Sequence, residues 1–179
     1  MITTVANAGL PMIVVYIPML VLGFIPIVLI EAGIYRLSAG PNFLRWLANV
    51  SIANVASTFL GVPATWVVLV ILQMSIGGGG GMPLATTSDR LIASIVQSPW
   101  IVPYRYDIHW LMPAAGLVLT APFLVASVFI EHWVISKLLC NKATKSAMPS
   151  RTIAWRANLV SYGFVGIFWV IALYSAVWT

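Results

Sequence analysis

Four apolar stretches, each long enough to cross a lipid bilayer as a helix, dominate this sequence. They cover about residues 10–35, 46–75, 109–139 and 157–178. A hydrocarbon core of about 30 Å requires roughly 20 helical residues. The stretches are continuously apolar rather than alternating, which excludes a transmembrane β-barrel. The sequence therefore predicts an all-α integral membrane protein, with four transmembrane helices forming a single domain over 1–179.

The composition excludes the soluble classes. Of the 179 residues, 61% are hydrophobic and only 7% are charged, whereas a soluble domain has roughly 25% charged residues. Such a small number of charged side chains cannot cover a water-exposed surface. Neither a soluble enzyme nor a nucleic-acid-binding domain is therefore expected, despite the net charge of +5. Cys140 is the single cysteine, which excludes an intrachain disulfide.

The basic residues predict the orientation of the chain in the membrane. Seven of the nine lie in or beside the two short loops between consecutive spans: Arg36, Arg45, Lys137, Lys142, Lys145, Arg151 and Arg156. Cytoplasmic loops carry an excess of lysine and arginine. We therefore expect loops 36–45 and 140–156 to be cytoplasmic, in contact with anionic lipid headgroups. Both termini and loop 77–108 would then face the other side.

The central loop 77–108 carries the signals of a short helix. Five glycines, Gly77 to Gly81, end the preceding span. The segment from Thr86 to Asp89 offers capping hydroxyls and an early carboxylate, which is typical of a helix start. The apolar residues that follow lie on one face, and Pro99 stops the pattern. An interfacial helix over about 87–98 is predicted.

The two halves of the chain carry a similar pattern, which indicates an internal repeat. In each half an Ile-Glu pair lies near the end of one span, and Ala-Asn-x-x-Ser lies in the next span. Glu31 and Asn54 are 23 residues apart, and Glu131 and Asn158 are 27 apart. We therefore expect the four spans to form two similar helical hairpins in parallel orientation.

Glu31 and Glu131 are the main candidates for a functional site. Both lie inside apolar spans, where a charged side chain is costly and marks function by default. We expect them to face protein or water, to be paired, or to be protonated. Arg156 is the predicted counter-ion of Glu131. The predicted partners of Glu31 are Ser51, Asn54, Arg36 and Arg45.

Polar side chains on the neighbouring spans complete the candidate site: Asn54, Ser57, Thr58, Arg156, Asn158 and Ser161. Two interpretations remain open. Small and hydroxyl-bearing residues commonly hold transmembrane helices together, so the set could serve helix packing alone. Alternatively, it could form an ion or proton pathway that uses Glu31 and Glu131.

Cofactor and catalytic signals are thin. His109 and His132 lie about 34 Å apart along one span, so they cannot serve one metal or haem together. Each alone is a weak candidate for an axial ligand of a pigment or haem, and no metal site is predicted. No nucleophile or acid-base constellation is visible in the sequence, so we do not expect an enzyme.

These observations favour a non-catalytic, structural or accessory subunit of a larger membrane complex, with lipids and other membrane subunits as partners. The alternative is a small ion, proton or solute transporter or channel, working as an oligomer through Glu31 and Glu131. Ile-Glu near one span end, followed by Asn-x-x-Ser in the next span, is similar to patterns in bacterial membrane proteins. That resemblance implies a bacterial inner membrane and no particular function.

Overall fold

The computed structural model describes residues 13–77, 84–96, 108–140 and 150–178, and the regular structure in these ranges is entirely helical. Five helices follow one another along the chain: α1 (Ile13–Ala39), α2 (Phe43–Gly77), α3 (Thr87–Val96), α4 (Ile108–Cys140) and α5 (Arg151–Trp178). The four long helices are apolar and long enough to span a membrane. The predicted all-helical protein with four candidate spans is therefore confirmed.

The helices extend past the ends of the apolar stretches. α1 continues to Ala39 rather than 35, α2 begins at Phe43 rather than 46, and α5 begins at Arg151 rather than 157. The expected loop over 36–45 is therefore wrong in its bounds, because only residues 40–42 separate α1 from α2. Hydropathy marks the apolar part of a helix, whereas backbone hydrogen bonding continues into the polar turns beyond it.

A tight turn connects α1 and α2. Gly40 follows the last residue of α1 with a φ of 133°, a conformation that side chains with a Cβ rarely adopt. The Asn42 side chain then caps α2 by accepting a 3.1 Å hydrogen bond from the backbone N–H of Arg45. Trp46 stacks on Tyr35 at 5.2 Å between ring centroids and donates its indole N–H to the Gly40 carbonyl. These contacts fix the angle between the two helices.

The long helices form a bundle in which α1 packs on α2 and α5, and α4 packs on α2 and α5. The largest buried apolar cluster lies toward the end of the bundle where α1 turns into α2. Its buried members come from all four long helices: Val28, Ala32, Tyr35, Trp46, Val50, Ala53, Val134, Ile135 and Ala157. The core is therefore concentrated at one end of the bundle.

α3 begins with reciprocal capping bonds. The Thr86 backbone N–H donates to the Asp89 carboxylate at 2.9 Å, and the Asp89 N–H donates to the Thr86 hydroxyl at 3.1 Å. The predicted helix start is therefore confirmed. The helix buries Ala93 and Val96 and packs on α2 and α4. Gly78 to Gly81 and residues 97–98 lie outside the described residues.

The outer surface of the bundle is apolar over most of its length. In α5, none of residues 162–178 is buried, and large side chains such as Ile167 and Ile171 are about 60% exposed. Exposed leucine, isoleucine, valine and phenylalanine side chains also cover α2 and α4. Such a surface suits lipid tails or other transmembrane helices, not water.

Candidate functional site

Glu31 and Glu131 lie at matching depths in two different helices. Glu31 is eight residues before the end of α1, and Glu131 is nine residues before the end of α4. These separations correspond to about 12 and 13.5 Å of helix rise. Both side chains are buried, at 0% and 1% exposure. The bundle core therefore contains two carboxyl groups at one level.

Each oxygen of Glu31 accepts a hydrogen bond from a different helix. The Asn54 amide on α2 donates to Oε2 at 2.7 Å. The Ser161 hydroxyl on α5 donates to Oε1 at 2.6 Å. Glu31 thus connects α1 to both of the long helices on which α1 packs.

Glu131 is bonded in the same way. The Asn158 amide on α5 donates to its Oε2 at 2.9 Å, and the Ser57 hydroxyl on α2 donates to its Oε1 at 3.1 Å. Each glutamate therefore takes an amide from the next long helix along the chain and a hydroxyl from the more distant one. Asn54 and Ser57 lie one turn apart on α2, as do Asn158 and Ser161 on α5, so the two carboxyl groups that they bond are neighbours in the bundle core. We call these six residues the carboxyl cluster: Glu31, Asn54, Ser57, Glu131, Asn158 and Ser161.

The Asn-x-x-Ser spacing explains how one helix serves both acids. On α2, the second amide hydrogen of Asn54 bonds the Val50 carbonyl at 3.1 Å, and the Ser57 hydroxyl lies 3.0 Å from the Asn54 carbonyl. On α5, the Asn158 amide donates to the Ala154 carbonyl at 3.2 Å, and the Ser161 hydroxyl, whose hydrogen bonds Glu31, lies 3.1 Å from the Asn158 carbonyl. Residues three apart share a helix face, so this backbone anchoring orients both side chains toward the bundle centre.

No basic side chain reaches the carboxyl cluster within the described part of the chain. The described basic residues nearest to this end of the bundle are all exposed: Arg36, Arg45, Lys137, Arg151 and Arg156. The predicted ion pair between Glu131 and Arg156 is therefore wrong, because Asn158 and Ser57 take the place expected for the arginine. Arg151 instead lies over the Phe129 ring, 4.5 Å from its centroid.

Two other predicted side chains lie outside the cluster. The Thr58 side chain is exposed and its hydroxyl bonds the Asn54 carbonyl of its own helix at 2.9 Å. Ser51 likewise bonds the Leu47 carbonyl at 2.7 Å rather than Glu31. Among the residues predicted as partners of Glu31, the structure brings only Asn54 to it.

Two tyrosines extend the polar interior beyond the predicted set. The Tyr162 hydroxyl and the Ser127 hydroxyl are 2.7 Å apart, linking α4 to α5 one turn from Glu131. Tyr35 lies one turn beyond Glu31, fully buried, and its hydroxyl has no hydrogen-bond partner among the described residues. Asn158 Oδ1 and His132 Nδ1 are likewise without a partner. The sequence does place Tyr162 directly after Ser161 and Tyr35 four residues after Glu31. These spacings were the available signal for the two tyrosines.

The two histidines do not join the cluster. His109 is exposed near the start of α4, and His132 follows Glu131 near its other end. Within the described ranges, no group of three histidine, cysteine or acidic side chains is arranged to hold a metal ion. The weak expectation of an axial pigment or haem ligand stays a prediction for each histidine alone.

Comparison of the chain with protein-family models, with curated proteins and with solved structures gave no match.

Proposed function

We propose that this chain is a non-catalytic, structural or accessory subunit of a larger membrane complex. Its four spans would pack against lipid and against the helices of partner subunits. The carboxyl cluster would hold these four spans in one fixed arrangement, so that the outer surface keeps a defined shape.

The observation that carries this proposal is that the carboxyl cluster is closed by the chain's own donors. Both oxygens of each glutamate accept a bond from Asn54, Ser57, Asn158 or Ser161. Polar side chains commonly bond across transmembrane helices. Here they connect each helix to two neighbours, which is what a rigid scaffold requires.

We also propose that the chain consists of two similar helical hairpins, α1–α2 and α4–α5, related by an internal repeat. The pattern of burial supports this. Val28 and Val128 are both buried, as are the later pair Ala53 and Ala157. The two glutamates exchange hydroxyl donors between the hairpins, as the two halves of a repeat related by an approximate two-fold axis would.

The membrane placement forms part of the same proposal. Residues 36–45 and 140–156, which include the connections from α1 to α2 and from α4 to α5, would be cytoplasmic in a bacterial inner membrane, and both termini and residues 77–108 would face the other side. α3 would be an interfacial helix, since it buries Ala93 and Val96 while Thr87 and Ser88 at its start are exposed.

Site-directed photo-crosslinking in native membranes tests the accessory role. A photoreactive residue at Ile167, which is 62% exposed on α5, should crosslink to a discrete partner protein. The same residue at Phe59 on α2, 74% exposed, maps a second face. Ser161→Ala should reduce the crosslink from Ile167, because it loosens α5 from α1.

Thr58→Ala is the matched control, since Thr58 lies outside the carboxyl cluster, and it should leave the crosslink yield unchanged. If neither position yields a protein crosslink and the chain migrates as a monomer after mild detergent extraction, the accessory role is refuted.

A small ion or proton transporter, working as an oligomer, is the second candidate. It is favoured by one specific observation: two neighbouring carboxyl groups are buried without a basic partner among the described residues. Purified protein in liposomes loaded with a pH-sensitive dye would show proton flux under an imposed gradient. The flux should disappear in the double variant Glu31→Gln, Glu131→Gln. Flux equal to that of empty liposomes would exclude this candidate.

A further inference from the structure

We propose that the carboxyl pair is a proton-binding site, in which Glu131 carries one proton and donates it to the carboxylate of Glu31. The inference concerns a bound ligand, the proton, and rests on neither proposed function. A proton bound here would neutralise the pair whether the chain is a scaffold or a transporter.

The charge of the pair favours a shared proton. Two neighbouring carboxylates cannot both ionise at an ordinary cost, because like charges at this distance repel. Burial removes the water that would otherwise solvate them. Within the described residues, the basic side chains at this end of the bundle are exposed and do not reach the pair. One shared proton removes half the charge and supplies the bond between the two carboxyl groups.

The hydrogen bonds to Glu31 and those to Glu131 differ in length. The donors to Glu31 lie at 2.6 and 2.7 Å, whereas the donors to Glu131 lie at 3.1 and 2.9 Å. Hydrogen bonds to an ionised acceptor are shorter than those to a neutral one. The distances therefore assign the negative charge to Glu31 and the proton to Glu131.

Three other titratable side chains lie near the pair. On the packed helices, the other titratable side chains near it are Tyr35 on α1, His132 on α4 and Tyr162 on α5, while α2 contributes only the amide of Asn54 and the hydroxyl of Ser57. Tyr35 is fully buried, on the side of Glu31 toward the turn between α1 and α2. Its hydroxyl has no hydrogen-bond partner among the described residues.

Infrared spectroscopy of the full chain reconstituted in lipid tests the assignment. The wild-type protein at neutral pH should show the C=O stretching band of a protonated carboxyl. Glu131→Gln should abolish this band, because the remaining Glu31 stays ionised between its two short bonds. Glu31→Gln should retain a protonated band, shifted in frequency, because Glu131 keeps its weaker donors.

Asp89→Asn is the matched acid-to-amide control, and it should leave the band unchanged because Asp89 lies on α3 and bonds Thr86 rather than the carboxyl pair. Two results would overturn the proposal: no protonated band in the wild-type protein at neutral pH, or a band that survives in Glu131→Gln. Exchange of potassium for sodium at equal ionic strength should not alter the band. Its loss in sodium would mean that a metal cation, not a proton, neutralises the pair.

Thermal unfolding in micelles gives an independent reading. A glutamine at 131 resembles a protonated glutamate, since it keeps a donor toward Glu31, and its unfolding midpoint should stay close to that of the wild type. Glu31→Gln replaces one of the two accepting oxygens by an amide N–H₂ that faces the donor of either Asn54 or Ser161, and its midpoint should fall. A larger fall for Glu131→Gln than for Glu31→Gln would contradict the assignment of the proton to Glu131.

Discussion

Ser161 donates a 2.6 Å hydrogen bond to Glu31 across 130 residues of sequence, and connects the last long helix to the first. Ser57 makes the reciprocal bond from α2 to Glu131 at 3.1 Å. The two bonds join helices that are distant along the chain. Each half of the bundle therefore completes the hydrogen bonding of the acid in the other half.

Removal of one of these hydroxyls should destabilise the bundle, and the two positions should differ. Ser161→Ala leaves Glu31 Oε1 without its donor in a buried site, which costs about 1–3 kcal/mol. Ser57→Ala should cost less, because its bond is longer. The measurement is the free energy of unfolding in mixed micelles. Thr58→Ala serves as the control. An equal decrease in the free energy of unfolding in all three variants would show that the hydroxyls of the carboxyl cluster stabilise the bundle no more than Thr58 does.

Gly116→Ala should push α4 and α5 apart. A Cβ at this position would lie 2.7 Å from Trp169 Cε2 and 2.9 Å from two further atoms of the same indole ring. Overpacking of this kind typically costs about 1–3 kcal/mol, and the fluorescence of Trp169 should change as its ring moves.

Gly163→Ala on α5 provides the comparison, because its added Cβ meets nothing within 4 Å. It should leave the unfolding free energy unchanged or slightly raised. Equal destabilisation by both substitutions would indicate a general effect of alanine on these helices.

Gly40→Ala should weaken the turn between α1 and α2. The φ of 133° at Gly40 is strained for alanine, at a cost of about 1–3 kcal/mol. A shift of this residue also moves the carbonyl that accepts the Trp46 indole N–H. Gly61→Ala, inside α2 with no neighbour within 4 Å of the added Cβ, is expected to be neutral. The unfolding midpoint and the near-ultraviolet circular dichroism of Trp46 report the outcome.

The start of α3 should loosen in acid. The Thr86 side chain, followed by its backbone N–H, lowers the pKa of Asp89 below its usual 3.8. A lowered pKa in the folded state means that the stabilisation is present above this usual value and is lost as the pH falls through the lowered one. The carboxyl carbon shift of Asp89 in an NMR titration measures the pKa directly. Thr86→Ala should raise the pKa toward 3.8, and an unchanged titration curve would contradict the capping contact.

The sequence predicted the helices of the bundle but only some of the contacts between them. Apolar length alone predicted the four long helices, and the Thr86-to-Asp89 signal predicted the start of α3. The contribution of Asn54 to Glu31 could be anticipated, because the two lie in consecutive spans. The bond from Ser161 to Glu31 could not, since it depends on which helices become neighbours after all four have packed.

The error at Arg156 has a related cause. Charge complementarity within a short stretch of sequence favoured an ion pair with Glu131. The start of α5, however, turns Arg156 outward and places Asn158 toward the core. Two residues along a helix differ by about 200° in direction, so sequence proximity alone does not determine which side chain faces a partner. The tyrosines at 35 and 162 were missed because aromatic residues are common in any span.

The bond from Ser161 also bears on how the protein is made. As the helices enter the membrane in order, Glu31 arrives with the first and meets Asn54 with the second, yet one of its oxygens has no donor until α5 is inserted. A chain truncated before α5 would retain a half-bonded acid in the hydrocarbon. Insertion of the last helix supplies the missing donor and completes the pair of bonds to Glu31.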